Sequence, residues 1–352
     1  MTGTVLITGA NGSLAIPFIK SLLSQYPSYT LIGTVRNHDA DSDPNTANLR
    51  NLVSQFPQCS VSIYKLDLNS LSEVDDFAEK LAVMIQNKKF PPLTAIICNA
   101  FSWSLSGSQK YSVDGYERTF QVSHLSHHLL VLKLLNSMNR EIGRVIMLGS
   151  VTHDPEKPNP LCKLDAQLPS EIDELVYPTP DKPGEEHDRG FQRYGTAKLA
   201  NVMFMHELNE RLIKVSHWEK AVIYQERKRD TDKLKHPFLN NITVTAMDPG
   251  GLVDSRANKE QKLFAQCLMF TMKMFIPFLR TFTTAVRSSE DSGTDLLQVA
   301  MGPDFHGKRG YFVGLMQAES AMVSKCPENR ERLWRACGRW LGLNEEYVCW
   351  ES

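Results

Sequence analysis

The sequence predicts an α/β fold, with a doubly wound parallel sheet in a single domain that carries substrate-loop insertions and a helical lid. Two observations predict it. Short apolar runs rich in β-branched residues alternate with amphipathic segments of helical length, and the first run leads directly into a glycine turn. Strands that alternate with helices pair in parallel through right-handed crossovers, so helices cover both faces of the sheet.

Six runs are predicted to be strands, and they lie at 5–8, 30–35, 61–66, 93–98, 144–148 and 242–247. Helical patterns fall between them at 14–23, 71–85, 116–135 and 194–212. The chain of 352 residues shows no internal repeat, and one α/β domain with insertions accounts for its length.

Four segments interrupt this alternation. Residues 154–189 are rich in Pro, Asp and Glu and are predicted to form an inserted loop, whereas the interleaved charges of 219–237 are typical of a solvated connection. The stretch 256–285, strongly apolar over 263–282, predicts a helical lid over a hydrophobic substrate. A dimer face and a surface that docks on a membrane are its alternatives. Residues 315–352 form a C-terminal extension.

Composition excludes several partners and locations. The formal net charge is −1 at pH 7, whereas nucleic-acid-binding proteins usually carry a basic excess, so no nucleic-acid partner is expected. The seven cysteines are scattered without a CxxC pair, which favours a reduced, cytoplasmic location without disulfides. Neither a signal peptide before the first strand nor a transmembrane segment is expected.

Three histidines lie close together in one predicted helix: His124, His127 and His128. His124 and His128 are four residues apart, yet no carboxylate or cysteine stands at a matching spacing. Packing within the helix layer is therefore the preferred interpretation, and no metal is expected.

The first βα turn has the residue types of a dinucleotide phosphate site. Backbone N–H groups there must approach a pyrophosphate closely, which glycines and small residues allow, and the helix N-terminus favours the negative charge. An ordinary βα turn is the alternative. The candidate residues are Gly9, Asn11, Gly12, Ser13 and Leu14.

The residues after the second strand bear on the choice of cofactor. A carboxylate there would hold the ribose 2′-hydroxyl of NAD, whereas this chain has Arg36, with no acid before Asp39. A guanidinium suits a 2′-phosphate, so NADP(H) is the predicted cofactor unless Arg36 is merely a surface arginine. Asp67, beside Leu68 at the end of the third strand, is a candidate acceptor for the adenine amine.

Tyr194, Lys198 and Ser150 form a candidate catalytic set. The i,i+4 spacing places the phenol and the ammonium on one helix face, where Lys198 and a positively charged nicotinamide are expected to lower the pKa of the phenol towards neutrality. Ser150, at the end of the fifth strand, is placed to hydrogen-bond a substrate oxygen. A YxxxK pattern alone often occurs by chance, so its weight comes from the order of the surrounding motifs.

That order resembles the short-chain dehydrogenase/reductase family over nearly the whole chain, from Val5 to about Phe312. Five motifs in the same order carry the resemblance. They are the TGxxxGxG-like turn at 8–15, Asn99-Ala100 of an NAG motif, the serine strand at 145–150, YxxxK at 194–198 and the PG loop at 248–253.

The resemblance implies a Rossmann fold and a role for each matched residue. By that resemblance, Tyr194 is the general acid/base, Lys198 binds the nicotinamide ribose and lowers the pKa of the phenol, and Ser150 positions the substrate carbonyl. The further cofactor contacts that it implies are Asn99, Ala100, Pro249, Gly250 and Val253.

The chain departs from the family pattern at several positions. Gly9, Gly12 and Ala15 also fit the TGxxGxxG turn of an extended, epimerase-like branch, although Asn99-Ala100 favours the classical branch. Phe101 replaces the last glycine of NAG. Ser123 takes the place of the asparagine that helps hold a water beside the lysine, so it joins the candidate catalytic residues with an altered proton relay.

Similarity to a fungal branch, and to retinol-dehydrogenase-like and sterol-ketoreductase members, indicates the function. The expected activity is an NADPH-dependent ketoreductase or alcohol dehydrogenase acting on a polyketide, terpenoid or steroid-like carbonyl in fungal secondary metabolism. A non-redox isomerase, dehydratase or cyclase on the same scaffold is the alternative, and a cofactor-sensing binding protein is a weaker one. A homo-oligomer and peripheral membrane contact stay open.

Overall fold

The computed structural model describes residues 3–157, 162–226, 241–260 and 286–343. Its strands are β1 Thr4–Thr8, β2 Thr30–Val35, β3 Val61–Lys65, β4 Leu93–Cys98, β5 Arg144–Leu148, β6 Thr243–Asp248, β7 Gly251–Leu252, β8 Val286–Arg287, β9 Gly310–Val313 and β10 Met316–Ala318. Its α-helices are α1 Ala15–Gln25, α2 Pro44–Ser54, α3 Leu71–Gln86, α4 Arg118–Phe120, α5 Ser126–Leu134, α6 Glu186–Glu226, α7 Ser289–Met301, α8 Met322–Lys325 and α9 Pro327–Trp340.

Eight of these strands form one sheet in the order β3-β2-β1-β4-β5-β6-β9-β10. Every pair is parallel except β9 with β10. The predicted doubly wound parallel sheet is therefore confirmed. The strand order reverses between β1 and β4, and ligands of such sheets bind in the crevice at the carboxyl ends of the strands flanking this reversal.

Helices cover both faces of the sheet, as the continuous burial of the central strands requires. One face packs against α3, α5 and α6, and the opposite face packs against α1, α2 and α7. A third apolar cluster joins α6 to the C-terminal helix α9. None of the helices in the described parts of the chain is both long and apolar enough to cross a membrane.

The helix that carries Tyr194 and Lys198, α6, is longer than the sequence predicts. It begins at Glu186, so the last residues of the predicted loop 154–189 are helical, and it continues to Glu226 through the first part of the charged segment 219–237. Acidic residues in its first turn, Glu186 and Asp188, favour this start because they complement the helix dipole. The expectation of a plain loop and a plain connection was wrong over these residues.

Other expectations fall partly or wholly outside the described residues. The helical lid is described only over Arg256–Glu260, a 3₁₀ turn, and 261–285 lie outside the description, as do 227–240. The predicted helix 116–135 is not uniform: a π-helical segment, Gln121–Leu125, separates α4 from α5. The C-terminal extension contributes β10, α8 and α9.

Candidate active site

The phosphate turn after β1 is shaped for close backbone approach. Gly9 has φ +62°, which disfavours any side chain, and a Cβ there would lie 3.1 Å from the Cβ of Ala100. The N–H of Gly12 donates to the carbonyl of Gly9 at 2.8 Å, and a Cβ on Gly12 would lie 3.0 Å from that oxygen. The turn therefore leaves a space that a side chain at Gly9 or Gly12 would fill.

Asn99 holds this turn against the end of β4. Its amide nitrogen donates to the carbonyls of Thr8 and Gly9 at 2.9 and 3.2 Å, while the N–H groups of Asn99 and Ala100 both donate to the Thr8 hydroxyl at 3.0 Å. Asn99 was predicted to contact the cofactor, and in this structure its side chain hydrogen-bonds to the phosphate turn. Its buried amide fixes the position of the glycines.

Side chains from two other elements bind the outer part of the turn. The amide nitrogen of Asn11 donates to Asp43, the N-cap of α2, at 3.0 Å. The hydroxyl of Ser13 accepts from the backbone N–H of Arg256 at 3.2 Å, and the Arg256 guanidinium donates to the carbonyl of Asn11. Leu14, predicted with them, is buried just before α1. A cation that the sequence analysis did not assign thus lies at the predicted diphosphate position.

Arg36 is exposed just after the carboxyl end of β2. Beside it lies an open depression of about 610 Å³, lined by Asn37, His38, Asp39, Ala40, Asp41, Arg50 and Lys65. Arg50 donates to the carbonyl of His38 at 3.0 Å. Two cations that the sequence analysis did not assign, Arg50 and Lys65, therefore lie close to the predicted 2′-phosphate position.

Asp67 lies after the carboxyl end of β3, where its carboxylate accepts from the backbone N–H of Asn69 at 3.0 Å. Leu68 beside it is buried, and its carbonyl accepts from the hydroxyl of Ser126 at 2.6 Å. The carboxylate of Asp67 is half-buried at the same edge of the sheet as the phosphate turn.

Ser150 and Tyr194 meet beyond the carboxyl end of β5, where their side chains share a hydrogen bond. Burial of the hydroxyl and the nearby carboxylate of Asp248 raise the pKa of Tyr194, although the bond to Ser150 lowers it. In the chain alone the pKa is shifted upward, because desolvation of the phenolate dominates, whereas the lowering predicted with a bound nicotinamide stays a prediction. Tyr194 is therefore protonated at neutral pH and can act as a proton donor.

Lys198 lies one helical turn beyond Tyr194, with its ammonium 5.5 Å from the centre of the phenol ring. It is 3% exposed, and its Nζ donates to the carbonyl of Leu148 at 2.8 Å. Burial lowers the pKa of Lys198 to about 8, despite the opposing effect of the Asp248 carboxylate. The predicted pair thus shares one face of α6, with the lysine held by the end of β5.

Ser123 is buried in the π-helical segment, and its hydroxyl is bound to the backbone of Ser102, accepting from the N–H at 3.2 Å and donating to the carbonyl at 3.3 Å. This hydroxyl faces the segment after β4, which differs from the expected water-holding role. The carbonyl of Ser123 instead accepts from the amide nitrogen of Asn201 at 3.1 Å, and that nitrogen also lies 3.4 Å from the carbonyl of Leu148.

Asn201 is the positioning residue that the sequence analysis missed. It binds the same carbonyl, that of Leu148, as Lys198 does. Its position was readable from the sequence, since residues 194, 198 and 201 follow the i, i+4, i+7 spacing of one helix face.

Three aromatic rings surround the phenol of Tyr194. The centroids of Trp103, Phe101 and Phe191 lie 5.1, 5.6 and 6.0 Å from that of Tyr194. Gly190 allows α6 to approach this segment, because a Cβ there would lie 1.9 Å from the carbonyl oxygen of Ser104. We call Phe101, Trp103 and Phe191 the aromatic wall.

The loop after β6 closes the site on its other side. Asp248 is buried and accepts from the N–H of Gly250 at 2.7 Å and from the hydroxyl of Tyr311 at 3.2 Å. Gly250 has φ +80°, and the Pro249 carbonyl accepts from Ser292 at 2.7 Å. Val253 is buried against this loop.

Comparisons with known proteins agree with this geometry. A family model described as the AcuH dehydrogenase domain matches residues 256–349. The chain is 28% identical over 375 residues to the short-chain dehydrogenase iccH of Talaromyces variabilis, covering 94% of this chain and 93% of that protein. It is 31% identical over 222 residues to the short chain dehydrogenase macD of Penicillium terrestre, covering 60% of this chain and 62% of that protein.

A solved structure shows the same fold. Carbonyl reductase from chicken fatty liver, solved with NADPH bound, superposes with a TM-score of 0.54 at 14% identity, covering 91% of this chain and 99% of that one. The match to iccH spans nearly the whole chain and agrees with the order of the five motifs. The chain is therefore similar to short-chain dehydrogenases over nearly its whole length.

These similarities confirm the predicted resemblance and the predicted class, an oxidoreductase acting on C–OH or C=O groups. The surroundings of Tyr194 include one departure from the family motif. Phe101 stands where the family motif has a glycine, and its ring centre lies 5.5 Å from the ammonium of Lys198. No local pattern signals this contact, because it joins the end of β4 to the middle of α6.

Proposed function

We propose that this protein is an NADP(H)-dependent ketoreductase or alcohol dehydrogenase that acts on a hydrophobic carbonyl substrate. The observation that carries the proposal is the meeting of Ser150, Tyr194 and Lys198 on the phosphate-turn side of the sheet. The proton donor, the hydrogen-bonding hydroxyl and the buried cation needed for carbonyl reduction are thereby within one site.

The described residues fit a dinucleotide. The turn at Gly9 and Gly12 has room only because both lack a Cβ, and it lies at the N-terminal end of α1. Arg256 adds a cation beside that turn. The nicotinamide ring, when bound, would supply or accept the hydride.

The residues of the chain would provide the remaining chemistry. The hydroxyl of Tyr194 would donate its proton to the carbonyl oxygen, while Ser150 donates a hydrogen bond to the same oxygen. Positive charge on Lys198 would favour the phenolate left behind, and its low pKa allows proton exchange near neutral pH. The protonated phenol that burial favours is the form that carbonyl reduction requires.

Removal of the phenol tests the assigned proton donor. Tyr194→Phe is expected to slow NADPH-dependent ketone reduction by roughly 10²–10⁴-fold, since a general acid contributes about that much. Binding of NADPH, followed by its fluorescence, should persist. Tyr111→Phe, at an exposed tyrosine, is the control and should turn over as the natural protein does. Unchanged turnover in Tyr194→Phe refutes the assignment.

The preference for NADP(H) rests on cations at the carboxyl ends of β2 and β3 and on α2. Arg36, Arg50 and Lys65 outline a site for a 2′-phosphate next to the depression described above. Arg36→Ala is expected to weaken NADPH binding by about 2 kcal/mol, roughly 30-fold, and to leave NADH binding nearly unchanged. Arg335→Ala, exposed on α9, is the control. An equal loss for both cofactors contradicts the proposal.

The aromatic wall supports a flat, apolar substrate. Aromatic faces bind such molecules through large buried area and offset stacking. Trp103→Ala is expected to raise KM for a polycyclic ketone about tenfold while changing KM for a short aliphatic ketone little. Equal effects on the two ketones argue against the wall as the substrate site.

The fungal sources of iccH and macD and this apolar wall support a ketone of fungal secondary metabolism as the substrate class. A cytoplasmic location and a homo-oligomeric state stay predictions from the sequence.

A second candidate is a non-redox isomerase, dehydratase or cyclase. The observation that favours it is the Ser123 hydroxyl, which is bound to Ser102 and so does not extend a proton relay from Lys198. Product formed from a substrate while NADPH absorbance stays constant would favour this candidate. Stoichiometric NADPH consumption favours the reductase.

A further inference from the structure

A buried group of His124, His128 and Cys337 lies on the far side of Asn201 from the catalytic lysine. His124 and His128 come from the π-helical segment and α5, and Cys337 comes from α9. Their solvent exposures are 0, 2 and 0%, and one potential ligand atom from each lies within 4.8 Å of the others. We call these three residues the His–His–Cys cluster.

Hydrogen bonding fixes His124 in the form that a metal ligand needs. Its Nδ1 lies 2.9 Å from the amide oxygen of Asn201, which can only accept, so Nδ1 carries the proton. Its Nε2 is thereby left with a lone pair, 3.5 Å from the sulfur of Cys337.

His128 presents a polar atom with no partner. Its Nδ1 is buried without a hydrogen bond, while its ring packs between Phe204 and Trp334 at centroid distances of 4.7 and 4.9 Å. A phenylalanine would fill this aromatic space without an unsatisfied nitrogen. Packing alone therefore does not account for an imidazole here, whereas coordination of an ion does.

We propose that the His–His–Cys cluster binds one copper(I) ion. Imidazole nitrogens and a thiolate are ligands that this soft ion accepts in a three-coordinate arrangement. Binding replaces the thiol proton with the metal, releasing one proton, so Cu⁺ and the thiolate form a complex of zero net charge. A neutral complex suits an enclosed aromatic site, where an isolated charge is costly.

Charge and ligand number distinguish copper(I) from zinc(II). Zinc(II) with one thiolate would leave a net positive charge, and it favours four ligands, whereas the described part of the chain supplies three to this cluster. The guanidinium of Arg211 lies 4.5 Å from the ring centre of Trp334, which packs on His128, so a further positive charge would be repelled.

The sequence analysis expected no metal because no cysteine stood at a matching spacing. The fold supplies one that is 213 positions from His124, since α9 packs against α6 beside the helix that carries the histidines. An ion here would tie the C-terminal helix to the layer behind the active site. The hydrogen-bond partner Asn201 would serve as its outer-shell support.

The test is an anaerobic titration of the full chain with copper(I) against a coloured copper(I) chelator. One ion should bind tightly, and Cys337→Ala and His128→Phe should each weaken that binding at least roughly 100-fold. His128→Phe keeps the aromatic packing, so it should fold without added metal. Cys326→Ser, at a partly exposed thiol at the other end of α9, is the matched control and should bind as the natural protein does.

Thermal unfolding gives a second readout. Copper(I) should raise the Tm of the natural protein and of Cys326→Ser but not that of His128→Phe. Equal copper affinity in His128→Phe or Cys337→Ala would overturn the site. Tighter retention of zinc(II) than of copper(I) by the natural protein would overturn the assigned ion.

Discussion

The buried ammonium of Lys198 should make the active site a source of instability. Its pKa falls from 10.5 to about 8 because burial disfavours the charged form, and this difference corresponds to about 3 kcal/mol. Lys198→Met removes the charge and retains an apolar stem of similar length. We therefore expect the variant to be more stable than the natural protein at pH 7 by up to about 3 kcal/mol, and to lose turnover.

The neighbours of Lys198 keep their partners in this variant. The carbonyl of Leu148 still faces the amide nitrogen of Asn201 at 3.4 Å, and Asp248 still accepts from Gly250 and Tyr311. Because no buried polar group is left unsatisfied, the gain from removing the charge is not offset by a new penalty.

The stability difference between Lys198→Met and the natural protein should depend on pH. Between pH 8 and 10.5 the unfolded lysine binds a proton that the folded lysine has lost, so the natural protein becomes relatively more stable as pH rises. The advantage of Lys198→Met should be full below pH 8 and vanish towards pH 10.5. Urea unfolding of both proteins across this range measures it.

A matched control lies further along the same helix. Lys214 is exposed and pairs with Glu210, so Lys214→Met should change stability by less than about 1 kcal/mol with no such pH dependence. A Lys198→Met protein that is less stable than the natural one at pH 7 would refute the reasoning, because the ammonium would then be stabilising the fold.

Three further outcomes are expected. Arg193→Ala should lower the free energy of unfolding in urea by about 3–5 kcal/mol, because it leaves two buried carboxylates unpaired. Arg189→Ala, at a more exposed pair, should lower it by less than about 1 kcal/mol. Equal losses in the two variants contradict this prediction. Asn201→Ala should lower kcat about tenfold and shift the pH profile set by Lys198, with KM for NADPH nearly constant; an unchanged kcat removes its positioning role. Arg256→Ala should weaken NADPH and NADH binding alike, roughly tenfold by fluorescence titration, and a loss confined to NADPH would place it at the 2′-phosphate instead.

The sequence predicted the sheet because its strands are buried on both faces and so appear as continuous apolar runs. The order of the strands was not predicted, because the crossover rule fixes the hand of each connection and not which strands are neighbours. β9 and β10 were missed because they have only 4 and 3 residues, too few to show a strand pattern. The extra turns of α6 were missed because prolines and acids before residue 186 obscured its acidic first turn.

At the candidate active site, the sequence predicted a contact within one helix and missed the contacts between different elements. Tyr194 and Lys198 share a helix face, so their spacing was sufficient. The raised pKa of Tyr194 in the chain alone was not predicted, because it depends on burial and on Asp248, which comes from another element of the fold. The same limit applies to Trp103 and Cys337, whose contacts join segments far apart in the chain.

Asn201 shows how the fold compensates for the serine at position 123. The π-helical segment leaves the carbonyl of Ser123 available, and the amide nitrogen of Asn201 occupies it. The same nitrogen lies near the carbonyl that holds Lys198, while the amide oxygen faces His124. One side chain thus links Lys198, the π-helical segment and the His–His–Cys cluster. A change at any of the three should therefore alter the position of the Lys198 ammonium. The amide of Asn201 is planar, so a shift towards one hydrogen-bond partner moves it away from the others.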